Sequence, residues 1–318
     1  MFELNQIPFF QEIENSQNIL IAGAGGGFDI YSGIPLYLSL IKQGKNVFLG
    51  NLSFTVLSKY NAENECENCW SISATPDEDM ISYFPEKHLA IWLDNNGLKP
   101  PIYAFAKTGV KPLIKTYEHL IKKHKIDTVI LIDGGTDSLM FGDEPGLGTP
   151  TEDMTSIAAL SSINLKKKYL VCIGFGVDYH HGVEHYYYLR NVAKLTKENA
   201  FLGIFSLLSQ MKEAELFEKL IDYSNNEMPI SPSIVANSIN SAVNGEFGNF
   251  HSVYRTKGSE LWINPLMSMY WCFNLEIVAK NVLYIDTLYE TMKIEEVLKE
   301  IEQYRHSIKI NESKKIPI

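Results

Sequence analysis

Residues 131–153, LIDGGTDSLMFGDEPGLGTPTED, decide how the chain is read. An apolar run at 128–132 leads into Asp133, Gly134 and Gly135. The polar trio Thr136, Asp137 and Ser138 follows, then a turn-rich segment with Asp143, Glu144, Gly146 and Gly148. A buried strand that opens into glycines and carboxylates is how an open α/β sheet presents a ligand at its carboxyl edge. Glycine lets backbone approach a ligand closely, and carboxylates bind hydroxyl groups or hard cations.

Two other runs end the same way. Residues 18–22, NILIA, are short and apolar like a buried strand, and they run into Gly23-Ala24-Gly25-Gly26-Gly27-Phe28-Asp29. Residues 169–173, YLVCI, run into Gly174-Phe175-Gly176-Val177-Asp178. Helical spacing at Ile34, Leu38 and Ile41 follows the first run, and an amphipathic helix over 110–125 precedes the middle one. Strands alternating with helices predict a doubly wound, mostly parallel sheet, a Rossmann-like three-layer α/β sandwich. In such a sheet all three glycine turns lie on one edge and face one crevice. The expectation is therefore one domain over residues 1–318, with a polar excursion near 61–79. Residues 89–93 and 102–106 read as an inserted strand pair, 201–208 as strand or helix start, and 265–280 mainly as helix.

The chain has 318 residues and a formal net charge of −10. That balance argues against nucleic acid or an anionic membrane as a partner, because both select basic faces. A small anion is compatible with it, since a few backbone N–H groups hold phosphate. No apolar run approaches the length of a membrane span, and the start lacks a basic segment followed by an apolar one. The four cysteines are too few for a disulfide framework in a chain this long, so a reducing, cytoplasmic setting is expected. Homo-oligomerisation is left open.

The candidate site follows from the three loops. Gly23, Gly25, Gly26, Gly27 and Asp29, together with Gly134, Gly135, Thr136 and Ser138, are expected to hold a ligand or its phosphate through amides and hydroxyls. Asp133, Asp137, Asp143 and Asp178 are the expected catalytic carboxylates. Asp137 and Asp143 are also the expected metal ligands, with Mg²⁺ the cation that such oxygens suit. The plain alternative is that Asp, Ser and Thr here shape turns and cap helices.

Other motifs carry less. The first loop starts like G-x-G-x-x-G, but Phe28 stands where a third small residue should be, and 49–51 (LGN) offers no acid for a ribose diol. There is no G-x-x-x-x-G-K-[ST]. His181, Glu184 and His185 match H-x-x-E-H, the inverted zinc-peptidase pattern, with His180 beside them. The motif directly follows a strand and a glycine turn rather than lying in a helix, so ordinary histidines are the simpler reading. Cys66 and Cys69 form one C-x-x-C, two ligands where a structural zinc needs four. Arg255 and Lys257 read either as an exposed basic loop or as a clasp over an anion.

The segments AGAGGGFDI (22–30), DGGTDSLMFGDEPGLGTPTEDM (133–154) and GFGVD (174–178) together resemble a family of microbial proteins known as domain of unknown function 1152. The resemblance implies a Rossmann-like α/β fold and carries no residue roles with it. The residues themselves point to an enzyme acting on a small phosphorylated or nucleotide-like metabolite by hydrolysis, lyase chemistry or group transfer. A non-catalytic metabolite-binding sensor or assembly subunit would use the same cleft. An NAD-linked oxidoreductase is the weaker third class.

Overall fold

Residues 18–22, 128–132 and 169–173 lie side by side as the centre of one nine-stranded sheet in the computed structural model, which describes residues 2–60, 62–75 and 83–316. The strands are β1 (Asn18–Gly23), β2 (Asn46–Leu52), β3 (Glu63–Cys66), β4 (Cys69–Ser71), β5 (Ile102–Phe105), β6 (Thr128–Gly134), β7 (Lys167–Ile173), β8 (Phe201–Ser206) and β9 (Met269–Asn274). Their order across the sheet is β3-β4-β5-β2-β1-β6-β7-β9-β8. The five strands from β5 to β7 are parallel. The edges are antiparallel: β3 and β4 on one side, β9 and β8 on the other.

The chain winds outward from β1 through β2 to β5, then returns to lay β6 against the other side of β1. The strand order therefore reverses between β1 and β6. In open α/β sheets the crevice at that reversal is where ligands bind.

Alternation along the central strands divides the core into two layers. Ile19 and Ile21 of β1, Ile130 and Ile132 of β6, and Val171 of β7 face the layer formed by helices Ile34–Lys42, Pro85–Asn95 and Lys212–Glu227. Leu20 and Ala22, Val129 and Leu131, and Leu170 and Cys172 face helices Val110–His124, Pro150–Ser161 and His185–Lys197. The sheet is buried on both faces, which is why its central strands read as unbroken apolar runs. Among the described residues no helix is long and apolar enough to cross a membrane.

Three expectations about elements change. Residues 89–93 belong to helix Pro85–Asn95, so only 102–105 of the expected pair is a strand, and it joins the main sheet. Part of the polar excursion at 61–79 is the β3–β4 hairpin, which extends that sheet at its edge; residues 61 and 76–79 lie outside the described residues. Residues 265–280 hold a short 3-10 turn, strand β9 and helix Leu275–Asn281 rather than one helix.

Candidate active site

Three loops leave the carboxyl ends of β1, β6 and β7 and meet over the β1–β6 crevice. They line a polar cleft of about 510 Å³. Asp29, Asp133, Asp137, Asp153, Asp178 and Glu152 all contribute to its wall, with Lys107, His181, Thr149, Phe54 and Val235.

Each carboxylate is placed by a local device. Asp133 is the next-to-last residue of β6, on the Leu131 side of the sheet, where Ser138 reaches back to it with both its amide (3.3 Å) and its hydroxyl. Asp137 starts a short 3-10 turn and accepts from the Thr149 amide (2.8 Å) and hydroxyl (3.1 Å). Asp178 accepts from the Thr136 amide at 2.7 Å and so pins the β7 loop to the β6 loop. Asp29 accepts from the Gly25 amide at 2.6 Å. Asp153 lies in the first turn of helix Pro150–Ser161.

That helix is fixed at two points. Ser156 donates to the Ala24 carbonyl at 2.7 Å, which docks its middle on the glycine loop. At the far end the buried Lys168 of β7 donates to the carbonyls of Leu160 (2.9 Å) and Ile163 (2.6 Å). A cation beside the terminal carbonyls stabilises a helix C-terminus.

Glycine is required where loops crowd the carboxylates. A Cβ on Gly25 would lie 2.9 Å from Asp153 Oδ2 and 3.0 Å from Asp29 Oδ2. One on Gly135 would lie 2.7 Å from Asp178 Oδ2. The glycines let these acids converge as well as letting the backbone turn.

The electrostatics follow from the crowding. Burial pushes the Asp29 carboxyl up to about 7, the Gly25 amide acting against it. Burial first, and the Asp137 carboxylate next, hold Asp133, Asp153 and Asp178 well above the usual carboxylate range. Asp137 is raised by burial too, opposed by the Thr149 donors. Carboxylates with raised and mutually dependent proton affinity can hold a proton, release one, or take a cation in its place.

Of the expected site residues, Gly25, Gly26, Asp29, Asp133, Gly134, Asp137 and Asp178 line the cleft. Thr136 and Ser138 are buried beneath it and hold Asp178 and Asp133. The Cβ that Gly23 lacks would collide with Asn51 Oδ1 at 2.1 Å, so Gly23 packs against β2. Gly27 has a left-handed backbone and its amide donates to Leu52 O at 3.0 Å.

Asp143 is not brought to the cleft: Arg190 holds its carboxylate at 2.7 Å. Glu144 is buried and accepts from the amides of Phe141 and Gly142 and from Arg190 and Asn191, which makes it the anchor of its own loop. His181 lines the cleft, whereas His180 and His185 line a neighbouring pocket. Gly182, at φ 89°, ends the turn that holds His181, and the next helix starts only at His185. The two histidines therefore do not share one helical face. No third His, Cys, Asp or Glu gathers with Cys66 and Cys69 among the described residues. Arg255 donates to the Pro232 carbonyl, and neither it nor Lys257 lines the cleft.

Sequence reasoning missed Asp153, Glu152 and Lys107 as site residues. Asp153 ends the quoted stretch, and its signal was its place in the first turn of the helix that follows the acidic loop. Asp29, Asp133 and Asp153 each offer one carboxylate oxygen within 4.8 Å of the others, so these three, rather than Asp137 with the distant Asp143, have the spacing that could hold a cation.

Neither the curated proteins nor the solved structures compared with the chain contain a match. The model of the family described as protein of unknown function (DUF1152) matches residues 95–311, a span that includes the acidic block and the β7 loop and leaves out the first glycine loop. The chain belongs to that family.

Proposed function

We propose that this DUF1152 protein is an enzyme acting on a small phosphorylated or nucleotide-like metabolite in the acidic cleft. The observation that carries this reading is the convergence of five aspartates, from three strand-end loops and one helix, at the point where strand order reverses. A binding surface has no need of so many crowded acids. Proton transfer does, because crowding keeps one carboxyl protonated beside another that is ionised. Asp137 and Asp178, which crowd one another in the cleft, are the pair chosen for that role.

A phosphate cannot approach six carboxylates unaided. A divalent cation of the Mg²⁺ class would bridge them to the phosphate oxygens, and Lys107 at the rim adds one positive charge. The chemistry best suited to this set is hydrolysis or group transfer at the phosphorylated centre. The geometry speaks against a dinucleotide held in the usual way, since the amides of Gly25 and Gly27 already donate to Asp29 and Leu52. On this reading the protein works in the cytoplasm, where its four free thiols stay reduced.

Mass spectrometry of small molecules released by denaturing the purified protein tests the reading. Recovery of a phosphorylated metabolite, or of its product after incubation with Mg²⁺, is expected. A ligand retained stoichiometrically and unchanged would favour a sensor. A released ligand without phosphate would overturn the substrate class.

A further inference from the structure

We propose that Asp29, Asp133 and Asp153 form the binding site of one hard divalent cation of the Mg²⁺ and Mn²⁺ kind. The proposal rests on the cleft reading above and gives that cleft its cofactor position.

The first observation is the convergence of one oxygen from each residue within 4.8 Å. Opposite ligands of Mg²⁺ are about 4.2 Å apart and those of Ca²⁺ about 5 Å, so little side-chain rotation is needed to close the set. All three donors are carboxylate oxygens, with no histidine or cysteine among them. Such a set selects hard cations over zinc.

The second observation is independent of that spacing. Asp153 Oδ1 is buried without a hydrogen-bond partner, on a side chain that is 3% exposed and lines the cleft. Every other aspartate in the cleft has a protein donor: Asp29 has Gly25, Asp133 has Ser138, Asp137 has Thr149 and Asp178 has Thr136. Lys107, the lysine that lines the cleft, is also committed, because it pairs with Glu152 at 2.7 Å. Buried carboxylate oxygens are almost always satisfied, and one that is not marks an absent donor or ion. The same side chain offers an oxygen within 4.8 Å of two further carboxylates, so the partner that fits is a cation.

Asp137 and Asp178 stand outside this group of converging oxygens, which leaves them as the proton carriers. Each of the two accepts a threonine amide and hydroxyl on its Oδ2. The triad spans three elements that the fold fixes separately: the β1 loop, the end of β6 and a helix clamped by Lys168. That makes the site pre-formed.

The test uses the full chain, stripped with chelator and titrated with MnCl₂ while free Mn²⁺ is followed by electron paramagnetic resonance. About one Mn²⁺ per chain should bind and be displaced by Mg²⁺. Asp153→Asn should weaken binding by roughly tenfold or more, as loss of a metal-site group does. Its metal-free Tm should be no lower than the parent's, because the change removes a like charge from the cluster. Asp143→Asn should bind as the parent does. If Asp153→Asn does not fold, Asp29→Asn carries the same expectation. Absence of saturable binding by the parent, or parental binding by the folded Asp153→Asn protein, overturns the proposal. Mn²⁺ binding with no phosphorylated metabolite converted leaves the metal centre standing and removes the proposed activity. Conversion by chelator-stripped protein that binds no Mn²⁺ does the reverse.

Discussion

Asp29 Oδ2 lies 2.6 Å from the amide nitrogen of Gly25. The glycine loop thus turns its first free donor toward the chain's own carboxylate instead of toward an external anion. A loop that looks in sequence like a phosphate cradle serves here to place an acid. Carboxylates consequently dominate the cleft wall, and its affinity for a phosphorylated ligand depends on what neutralises them.

Gly26 tests the structural half of that statement. Its φ is +83°, and a Cβ there would lie 2.4 Å from the Leu52 carbonyl oxygen. Gly26→Ala should lower stability by about 1–3 kcal/mol through backbone strain. Urea unfolding measures this. An unchanged midpoint would mean that the loop yields without cost.

Asp137 tests the chemical half. Its bonds to the Thr149 amide and hydroxyl can be accepted equally by an asparagine oxygen. Asp137→Asn should therefore keep its Tm within a few degrees while turnover falls about 10²-fold or more, the usual scale for losing a general acid or base. Parental turnover in the variant would make Asp137 a turn residue.

The pH dependence of stability is expected to contain a contribution from Glu86. This side chain is fully buried behind the glycine loop, where Asn51, which also donates to Gly27 O, donates to it at 2.8 Å. Burial pushes its carboxyl up to about 7 from 4.5. Below the lower value both folded and unfolded chains hold the proton, and no pH dependence arises. Between the two values the folded chain holds it and the unfolded chain does not, so stability falls as pH rises through this window. Glu86→Gln remains neutral and keeps an acceptor for Asn51. Urea midpoints at pH 5 and pH 8 should differ less in the variant than in the parent. An equal difference would show that Glu86 titrates normally.

Arg305 should prove to be a clasp on the acidic loop. From the C-terminal helix it donates to the carbonyls of Gly142 (3.0 Å), Glu144 (2.9 Å) and Pro145 (3.0 Å). Arg305→Ala leaves these acceptors without their donor and should cost about 1–3 kcal/mol. Hydrogen exchange should quicken over residues 139–149. Unaltered exchange there would mean that Arg190 and Asn191, acting on Glu144, suffice to hold the loop.

Much of the fold was legible because β1, β6 and β7 are buried on both faces and end in glycine. The expected runs at 18–22, 128–132 and 169–173 fall inside the observed strands. The edges were not legible for the opposite reason. β3 is a short polar edge strand paired with β4, and β4 is only three residues long and depends on pairing with β5. Residues 269–274, MYWCFN, are apolar enough for either a strand or a buried helix, and only pairing with β7 and β8 decides between them. At the site, the sequence pointed to the carboxylates at strand ends because strand direction fixes them. It could not separate Asp143 from Asp153. Both lie in the same acidic stretch, and the difference is that Arg190, distant in sequence, captures Asp143.

The most direct measurement is ³¹P nuclear magnetic resonance of a small-metabolite extract incubated with the parent protein and Mg²⁺, beside the same extract with Asp133→Asn. Asp133 is buried at the end of β6, and its partner Ser138 can still donate to an asparagine oxygen, so the variant should fold. The account expects a phosphorus resonance to shift or disappear with the parent and to persist with the variant. Resonances that remain unchanged with the parent, or that change equally with both proteins, would contradict it.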